Sequence, residues 1–341
     1  MTKPVSDLKI MLCSNWFYPS IGGVETVSMI LAEEFTRAGA KVVVITDSDG
    51  SPMDAAFDVV RKPSMKTIYS LARESDVLMQ NMISLQTLPG LLASGKPIVV
   101  AHHSWMRRTD GTRGWQNYLK MMAVRLCHNV SISPSIAESL PVKSDIFGNP
   151  FETEEFDGLR EQPRDRDIVF MGRLVSDKGC DLLLQALVLL AGIGLRPTVT
   201  IIGDGPEMPG LRAYATEHGL EGQIEFLGAL RQGRGKVVAR HRIMAIPSIW
   251  AEPFGLVALE GIAAGCAIVA SAKGGLSYAS GPCGLYFPNG DAGALAAELK
   301  TLLTDTALQA KLVGEGPGHL QKFRPDFVAG EYLSLFQRLI A

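Results

Sequence analysis

The stretch from Lys9 to Thr46 reads KIMLCSNWFYPSIGGVETVSMILAEEFTRAGAKVVVIT and predicts the fold class of the whole chain. Short apolar runs at its two ends indicate strands, and the apolar residues between them recur at the spacing of a helix face. The predicted elements are a strand at Lys9–Ser14, a helix at about Glu25–Arg37 with Val27, Ile30, Leu31 and Phe35 on its apolar face, and a strand at Lys41–Thr46. Two strands joined by a helix lie parallel in one sheet, with a right-handed crossover. The stretch therefore predicts an α/β fold built on a parallel sheet.

The same alternation of strands and helices continues along the chain and is interrupted once. The interruption, Glu152–Asp167, carries seven acidic residues and three arginines, and it is predicted to be a solvated interdomain linker. Further strands are predicted at Val77–Gln80, Pro97–Ala101, Ile168–Met171, Thr198–Ile202, Ile224–Phe226, Met244–Ile246 and Ala267–Ala270. Further helices are predicted within residues 84–95 and at Cys180–Leu190, Met208–His218 and Glu260–Ala264.

The length of the chain predicts two domains, because 341 residues exceed the roughly 250–300 at which a single core stops growing. We predict two doubly wound, Rossmann-like domains, residues 1–155 and residues 166–324, that face a cleft. A terminal amphipathic helix is predicted at 325–341, with Phe327, Tyr332, Leu335, Phe336 and Leu339 on its apolar face. Ligands of such sheets bind at the carboxyl ends of the strands, so candidate site residues are those that directly follow a strand.

Composition excludes several classes of protein. A hydrophobic fraction of 47% and a charged fraction of 20% exclude a disordered or fibrous chain. The net charge of −2 gives no overall attraction to nucleic acid, and five dispersed cysteines without a C-x-x-C pair indicate neither a disulfide framework nor a zinc site. The longest apolar run, Ala186–Leu195, is half of the roughly 20 residues that span a membrane, and the N-terminus shows no secretory signal. The chain is expected to be soluble and cytoplasmic.

Three glycine-containing loops follow predicted strands and are candidates for binding an anion. Gly22 and Gly23 precede the first helix, where unpaired N–H groups favour an anion, although a plain tight turn explains them equally well. Arg173 and Lys178 follow the strand at Ile168–Met171, and two cations there can neutralise a diphosphate, the alternative being a solvated basic turn. Gly203 ends the next strand, either as a turn or as part of the floor beneath a ligand.

The segment EPFGLVALE, Glu252–Glu260, is the most informative stretch of the second half. The backbone N–H groups of Phe254, Gly255 and Leu256 are predicted to lie at the start of a helix, where they form an anion site. Glu252 and Glu260 are far enough apart to occupy separate places, one near the hydroxyls of a sugar and the other near a ribose. The alternative is an N-terminal carboxylate favoured by the helix dipole and a surface Glu260, but an acid inside LVALEGIAAG is expected to be buried, which requires a partner.

Two further stretches carry candidate functions. His102 and His103 follow the strand PIVVA, and because adjacent residues of an extended segment face opposite ways, at most one of them is expected to face the cleft, the alternative being a structural histidine. Residues 105–125 interleave basic and aromatic side chains, which suits peripheral contact with anionic lipid at the inner face of the cell membrane or, equally, a solvated helix face. Asp47-Ser48-Asp49 matches both a metal-binding motif and an NAD ribose ligand, but without the glycine fingerprint it is interpreted as a loop.

Taken together, these motifs resemble the retaining nucleotide-sugar glycosyltransferases of family 4, which have the GT-B fold of two Rossmann-like domains. The resemblance covers most of the chain and depends chiefly on the E-x7-E element formed by Glu252 and Glu260, together with Arg173 and Lys178. Supporting segments are GGVET, the histidine after PIVVA, SISPSIAESL, NPFETEEF, GRLVSDKG, IGDGPE with EFLG, the PS before EPFGLVALE, and GGL followed by GLYF.

The resemblance implies a role for each matching residue. Arg173, Lys178 and the amides of Phe254, Gly255 and Leu256 would hold the donor diphosphate. Glu252 would contact the transferred sugar and Glu260 the ribose. The Gly22–Gly23 loop would cover the phosphates from the first domain. His103, which directly precedes a small polar residue, resembles the family's active-site histidine, and the terminal helix would complete the first domain.

The expected function is transfer of a sugar, with retention, from a UDP-, GDP- or ADP-sugar to a saccharide or lipid-linked acceptor in polysaccharide, lipopolysaccharide or glycolipid synthesis, with no metal required. The alternatives are an epimerase or phosphorylase of the same fold, a nucleotide-sugar-binding scaffold without activity and, more distantly, an NAD-dependent dehydrogenase. The chain departs from the family at Ala267 and Tyr278, and the segment between Gly228 and Pro247 is short, which leaves the nucleotide base open.

Overall fold

The computed structural model describes residues 3–19, 22–51, 53–106, 114–230 and 232–341. They form two compact units, Met1–Phe151 with Lys322–Ala341, and Glu152–Gln321. The first unit therefore ends at Phe151 rather than at residue 155, and residues 322–324 belong to it rather than to the second domain. The boundary lies at Phe151 because residues 152–165 pack on the second unit, as described below.

The first unit contains a parallel sheet whose described strands number seven, in the order β3-β2-β1-β4-β5-β6-β7. Continuous apolar strands are buried on both faces when helices cover a parallel sheet, and every residue of β4 and β5 is buried. The elements are β1 (Lys9–Ser14), α1 (Gly23–Arg37), β2 (Lys41–Thr46), β3 (Asp58–Arg61), α2 (Met65–Glu74), β4 (Val77–Asn81), α3 (Leu88–Ala93), β5 (Ile98–His102), α4 (Trp115–Ala123), β6 (His128–Ser131), α5 (Pro134–Ser139) and β7 (Asp145–Ile146).

The second unit repeats this architecture with six described parallel strands in the order β10-β9-β8-β11-β12-β13. Its elements are β8 (Arg166–Met171), α6 (Cys180–Gly192), β9 (Val199–Ile202), α7 (Met208–Glu217), β10 (Ile224–Gly228), α8 (Arg234–Val238), β11 (His241–Ile246), α9 (Leu256–Ala263), β12 (Ala267–Ser271), α10 (Leu276–Ser280), β13 (Gly284–Phe287), α11 (Ala292–Thr304), α12 (Thr306–Gly314) and α13 (Gly316–Leu320). The predicted α/β class and the two doubly wound sheets are confirmed.

Most predicted strands and helices are confirmed to within a few residues in both units. The apolar face predicted for α1 is buried at all four positions. Helix α9 begins at Leu256, directly after a glycine cap, which confirms the helix start predicted at Phe254–Leu256, whereas the narrower range Glu260–Ala264 omits its first turn. Only Leu88–Ala93 of the helix predicted within residues 84–95 is helical.

The segment 152–165 is not the solvated linker that its charge predicts. Phe156 and Leu159 are buried, and two arginines bind carbonyls of the second unit. Arg160 donates to the carbonyl of Ile262 at 3.1 Å, and Arg164 donates to those of Ala239 at 3.0 Å and Ala264 at 3.1 Å. These carbonyls lie at the C-terminal ends of α8 and α9, where cations satisfy the unpaired acceptors and the helix dipole. The arginines therefore attach the segment to the second unit.

The terminal helix, α14 (Pro325–Ile340), lies in the first unit and packs against α1. The ring centroid of Phe35 on α1 lies 5.6 Å from that of Phe336 and 6.3 Å from that of Tyr332, both edge to face. Tyr332, Leu335 and Phe336 are buried as predicted, whereas Phe327 is 49% exposed because the buried stripe begins at Val328. The chain thus returns to the first unit after completing the second.

Candidate active site

The predicted residues of the second unit gather at one edge of its sheet. Arg173 and Lys178 follow β8, Gly203 follows β9, and Glu252 lies in the segment after β11. Because β9, β8 and β11 are neighbours and parallel, the loops at their carboxyl ends are adjacent. Residues that are up to 79 positions apart in the chain are therefore brought to a common edge of the sheet.

Lys178 and Glu252 form a direct ion pair at this edge. The Lys178 Nζ contacts Oε1 of Glu252, and both side chains are largely buried. The Ser248 hydroxyl donates to the same carboxylate oxygen at 2.7 Å. Glu252 thus has two donors that hold it in place, and Lys178 retains N–H groups for a further acceptor because an ammonium has three.

Backbone contacts fix the segment that carries Glu252. The amides of Ile249 and Trp250 donate to the carbonyl of Asp177, at 3.0 and 3.3 Å, so this segment is attached directly to the turn that carries Lys178. On its other side, the amide of Gly275 donates to the carbonyl of Glu252 at 2.6 Å. The ion pair therefore joins two loops that are already attached to each other through their backbones.

Arg173 differs from Lys178 in being exposed and in making no ion pair with any residue that the structure describes. Its neighbour Leu174 is fully buried, and the Leu174 amide donates to the carbonyl of Asp204 at 2.9 Å. The backbone at Arg173 is thus held while its guanidinium remains available. A guanidinium in this position can bind two oxygens of a diphosphate at once.

The loops after β8 and β9 approach each other closely at Gly203. Its φ is +149°, and a Cβ built on it would lie 1.8 Å from the carbonyl oxygen of Gly172. Only glycine fits such a backbone and such a contact. The close approach places the loop after β9 directly beside the one that carries Arg173.

Helix α9 follows Glu252 in the chain, and its first turn begins at Leu256. Its N-cap, Gly255, has a left-handed φ of +99°, and a Cβ there would lie 2.3 Å from the Leu276 side chain. Phe254 is buried and packs edge to face on Tyr278, with 6.2 Å between ring centroids. The first N–H groups of an α-helix have no intrahelical partner and attract anions, so this start suits a phosphate.

Glu260 lies apart from the Lys178–Glu252 pair, one to two turns along α9. Its Oε1 accepts a hydrogen bond from Nη2 of Arg234 at 3.1 Å, and the same Nη2 donates to Oε2 of Glu152 at 2.5 Å. Burial raises the pKa of the Glu260 carboxyl, and the Arg234 guanidinium opposes that rise. Glu260 is partly buried rather than fully interior, and it has the partner that the prediction required, a residue that sequence reasoning missed.

Arg234 is the partner of Glu260 that the sequence did not indicate. Arg234 follows β10 at the same edge of the sheet, so its position was the available signal. It lies in the segment between Gly228 and Pro247 that was noted only for its shortness. Ser248 is the serine of the PS that precedes EPFGLVALE, which supported the resemblance, but its contact with Glu252 was not predicted.

The two adjacent histidines of the first unit have different surroundings. The Nε2 of His102, at the end of β5, hydrogen bonds to Asn129 Oδ1 at 2.9 Å, and Asn129 is itself fixed by the carbonyls of Val124 and Cys127. His103 is also buried, and neither of its ring nitrogens makes a hydrogen bond of normal geometry with a described residue. The contact with Asn129 therefore gives His102 a structural role.

Burial gives His103 a neutral ring. It lowers the pKa of His103 to about 4, the neighbouring His102 lowers it further, and the Asn149 side chain opposes the change. At neutral pH the ring therefore has one donor and one acceptor.

Gly22 and Gly23 lie at the start of α1 in the first unit. Gly22 has an extended φ of −176°, which any residue adopts, and Gly23 is the first residue of the helix. Glu25 occupies the first turn, where the helix dipole favours a carboxylate. The two glycines are thus placed as predicted, before a helix N-terminus, and their use in binding an anion stays a prediction.

Helix α4 has an apolar face that nothing in the described structure covers. None of its residues is buried, and Trp115, Tyr118, Leu119 and Met122, at the i, i+3, i+4, i+7 positions of one face, are all exposed. Within the predicted basic stretch, Arg107, Arg108 and Arg113 lie outside the described residues.

Among the helices that are described, none has the length and apolar character needed to cross a bilayer. In the same residues, no three His, Cys, Asp or Glu side chains are grouped to hold a metal ion.

Comparison with known proteins identifies related sequences and folds. Residues 151–318 match the family model described as Glycosyl transferases group 1. The chain is 23% identical over 333 residues to the phosphatidylinositol N-acetylglucosaminyltransferase gpi3 subunit of Schizosaccharomyces pombe, covering 86% of this chain and 72% of that protein. It is 30% identical over 179 residues to the lipopolysaccharide core biosynthesis glycosyltransferase LpsE of Rhizobium meliloti, covering 51% of each chain.

A solved structure matches nearly the whole chain. Anabaena HepE, crystallised with UDP and glucose, superposes with a TM-score of 0.77 at 19% identity, over 97% of this chain and 100% of that one. The likeness confirms the GT-B architecture of two Rossmann-like domains.

Proposed function

We propose that this chain, which has the GT-B fold and carries a glycosyltransferase group 1 domain at residues 151–318, is a retaining transferase. It moves a sugar from a nucleotide-diphosphate donor to a saccharide or lipid-linked acceptor, in the synthesis of a cell-surface polysaccharide or glycolipid. UDP-sugars are the first donors to test, because UDP is the nucleotide bound to HepE. GDP- and ADP-sugars remain as alternatives.

The observation that carries the proposal is that the exposed Arg173, which has no ion-pair partner among the described residues, follows the same strand as Lys178 of the Lys178–Glu252 pair. An exposed guanidinium and an ammonium with spare N–H groups follow the same strand, and α9 begins just beyond Glu252. Two cations and a helix N-terminus form the arrangement that binds a diphosphate. Lys178 and Ser248 hold the carboxylate of Glu252, which we propose accepts hydrogen bonds from the hydroxyls of the transferred sugar.

The chemistry follows from these charges. The bond between the anomeric carbon and the diphosphate oxygen breaks, so negative charge develops on the phosphate and positive charge on the sugar. Arg173, Lys178 and the start of α9 stabilise the leaving diphosphate electrostatically, without a metal ion. The acceptor hydroxyl attacks the same face of the sugar and gives its proton to the leaving phosphate. The products are the glycosylated acceptor and the nucleoside diphosphate.

His103 is proposed to contact the substrate as a neutral ring. With a pKa of about 4 it offers one N–H donor and one acceptor to sugar hydroxyls and adds no charge. The family resemblance implies only that His103 is the active-site histidine, and its contact with sugar hydroxyls is part of this proposal.

The first experiment is a thermal-denaturation screen against UDP-, GDP- and ADP-sugars, followed by product analysis. A donor present at 100 times its Kd stabilises the folded protein by about 2.7 kcal/mol, so the true donor raises the midpoint. With that donor, transferred product is expected only when an acceptor is present. A new sugar formed without acceptor indicates an epimerase, phosphate-dependent release indicates a phosphorylase, and binding without turnover indicates a scaffold.

The exposed face of α4 is proposed to contact the anionic inner face of the cell membrane. Trp115 is 70% exposed and begins an apolar stripe, and Lys120 and Arg125 lie beside it with no acidic residue between positions 111 and 137. An amphipathic helix with basic residues and a large aromatic residue inserts its apolar face among anionic headgroups. The enzyme would then work in the cytoplasm, at the surface where lipid-linked acceptors are held.

This proposal predicts binding to vesicles that depends on both charge and α4. We expect the protein to co-sediment with vesicles containing phosphatidylglycerol and less with pure phosphatidylcholine. Trp115→Ser with Met122→Ser is expected to reduce that binding several-fold, because the inserted apolar area is lost. The control is Leu189→Ser, at a site that is 50% exposed on α6. Equal sedimentation of all three proteins, or none with either lipid, would contradict the membrane role.

A further inference from the structure

Arg234 joins two carboxylates that come from distant parts of the second unit. It begins α8 and lies between Glu260 on α9 and Glu152, the first residue of the unit. Its Nη2 is 3.1 Å from Oε1 of Glu260 and 2.5 Å from Oε2 of Glu152. Arg234 and Glu260 are mostly covered, with side-chain exposures of 20% and 16%. The three residues form a partly buried network with one cation and two anions.

Apart from Arg234, the surroundings of Glu260 disfavour the ionised form of its carboxyl. Burial raises the pKa of the Glu260 carboxyl, and the carboxylates of Glu152 and Glu155 act in the same direction. Glu155 is held nearby, where its Oε1 accepts a hydrogen bond from the amide of Gly235 at 3.2 Å. Among the described charged groups that face Glu260, Arg234 is the one that favours the ionised form.

The hydrogen bonds of Arg234 are incomplete in a way that indicates a functional role. Its Nε is buried and has no hydrogen-bond partner among the described residues. A buried donor without a partner destabilises the folded state, and a guanidinium placed only for stability would be expected to use it. The Arg234 contact uses Oε1 of Glu260, so the other oxygen of that carboxylate is left for a ligand.

We propose that Arg234 is a positioning residue that holds the Glu260 carboxylate ionised and oriented for the ribose of the bound nucleotide. The inference rests on the proposed function, in which Glu260 accepts hydrogen bonds from the ribose hydroxyls. An ionised carboxylate accepts at both oxygens, whereas a protonated one carries a hydrogen on one of them. Arg234 thus acts on the nucleotide through Glu260, without touching the reacting atoms.

The test compares nucleotide binding by Arg234→Ala with that of the wild type across pH. The probes are UDP, GDP and ADP, measured by calorimetry, and the nucleotide that binds the wild type is carried forward. At pH 7, Arg234→Ala is expected to raise its Kd roughly 10- to 100-fold, the effect of losing a charge-assisted contact. Arg234→Lys, which keeps the charge, is expected to lie between the two.

The pH dependence separates positioning from a merely structural effect. Without Arg234 the pKa of Glu260 rises, so the carboxyl of the variant takes up a proton at a higher pH than that of the wild type. As the pH is lowered, nucleotide binding by the variant therefore weakens first. The ratio of the variant's Kd to the wild-type Kd is therefore expected to grow from pH 8.5 to pH 5.5. Taking this ratio removes the titration of the nucleotide's own phosphate, which is common to both proteins. When Glu260 is replaced by Gln in both proteins, the Kd of the Arg234→Ala variant divided by the Kd of the protein with Arg234 is expected to be independent of pH.

The matched control is Arg240→Ala, which breaks an exposed arginine–aspartate pair with Asp165 in the same unit and is expected to leave the Kd unchanged. Should Arg234→Ala fail to fold in a thermal-denaturation assay, Arg234→Gln carries the same comparison. A ratio that does not vary with pH, or an equal effect of Arg240→Ala, overturns the inference. If Glu260→Gln weakens binding while the Arg234 variants do not, the inference fails and the proposed function stands. If none of the three nucleotides binds the wild type, the proposed donor site fails, and the inference with it.

Discussion

Lys178→Ala is expected to lower kcat/KM for sugar transfer by about a thousandfold, since one preorganised donor to a developing anion contributes roughly 10²- to 10³-fold. We expect a loss of activity at the upper end of this range because the substitution has two effects. It removes a cation from the leaving diphosphate, and it leaves the largely buried Glu252 carboxylate with Ser248 as its remaining described donor. That carboxylate would then repel the phosphates. Arg173→Ala, which removes an exposed cation and uncovers no carboxylate, is expected to cost about a hundredfold.

The measurement is steady-state transfer with the donor and acceptor that the wild type uses, together with the Kd for the donor. Lys300→Ala is the control, because this lysine is exposed on α11, away from the strand ends that carry the site. Lys178→Arg is expected to recover little activity, since a planar guanidinium does not reproduce the compact ammonium that fits between Glu252 and a phosphate. Wild-type activity in Lys178→Ala would refute the assignment of the donor site.

Gly203→Ala is expected to destabilise the second unit by about 4 kcal/mol or more and to abolish donor binding. A non-glycine residue at an unfavourable positive φ costs roughly 1–3 kcal/mol, and the new Cβ would meet the Gly172 carbonyl at 1.8 Å. Relief of that contact requires movement of the backbone of β8 or β9. Because Gly172 directly precedes Arg173, such movement would displace the guanidinium.

Urea unfolding measures this effect, with Gly210→Ala as the matched control. Gly210 lies in helix α7, and a Cβ there would have nothing within 4 Å. The control is therefore expected to stabilise the protein by about 0.5–1 kcal/mol, because alanine restricts the unfolded chain and favours the helix. A Gly203→Ala protein as stable as the wild type would show that the loops after β8 and β9 are not held in close contact.

The strands and most of their order in the chain could be predicted because their signals are local. Runs such as KVVVIT are apolar on both sides, and strands of that kind are stable only when they are covered on both faces. The prediction of a solvated linker at 152–165 was wrong because the contacts that hold this segment are not local. This acid-rich segment looks solvated when read alone, but Arg160 and Arg164 bind carbonyls at helix ends that are 75 to 102 residues further along the chain. A local window does not contain those acceptors.

For the candidate site, the location of the residues could be predicted from the sequence but their contacts could not. Its location at the strand ends followed from the alternation of strands and helices, and Arg173, Lys178, Glu252 and Glu260 are all found in the loops or the helix where the sequence put them. Their pairing was not predicted. Lys178 was expected as a free cation beside Arg173, but it contacts Glu252, and Glu260 contacts an arginine that the sequence did not single out.

By itself, then, the sequence determined that this protein is built from two parallel α/β units and that its candidate site residues follow strand ends, because apolar periodicity and strand boundaries are properties of neighbouring residues. Only the tertiary structure decided which charges are partnered. The strand order β10-β9-β8-β11 brings Lys178 to Glu252 across 74 residues, and α8 brings Arg234 to Glu260 and Glu152. It leaves Arg173 without an ion-pair partner among the described residues. A charge that is neutralised inside the protein and one that is available to a ligand look the same in sequence, since the difference lies in a contact that only folding creates.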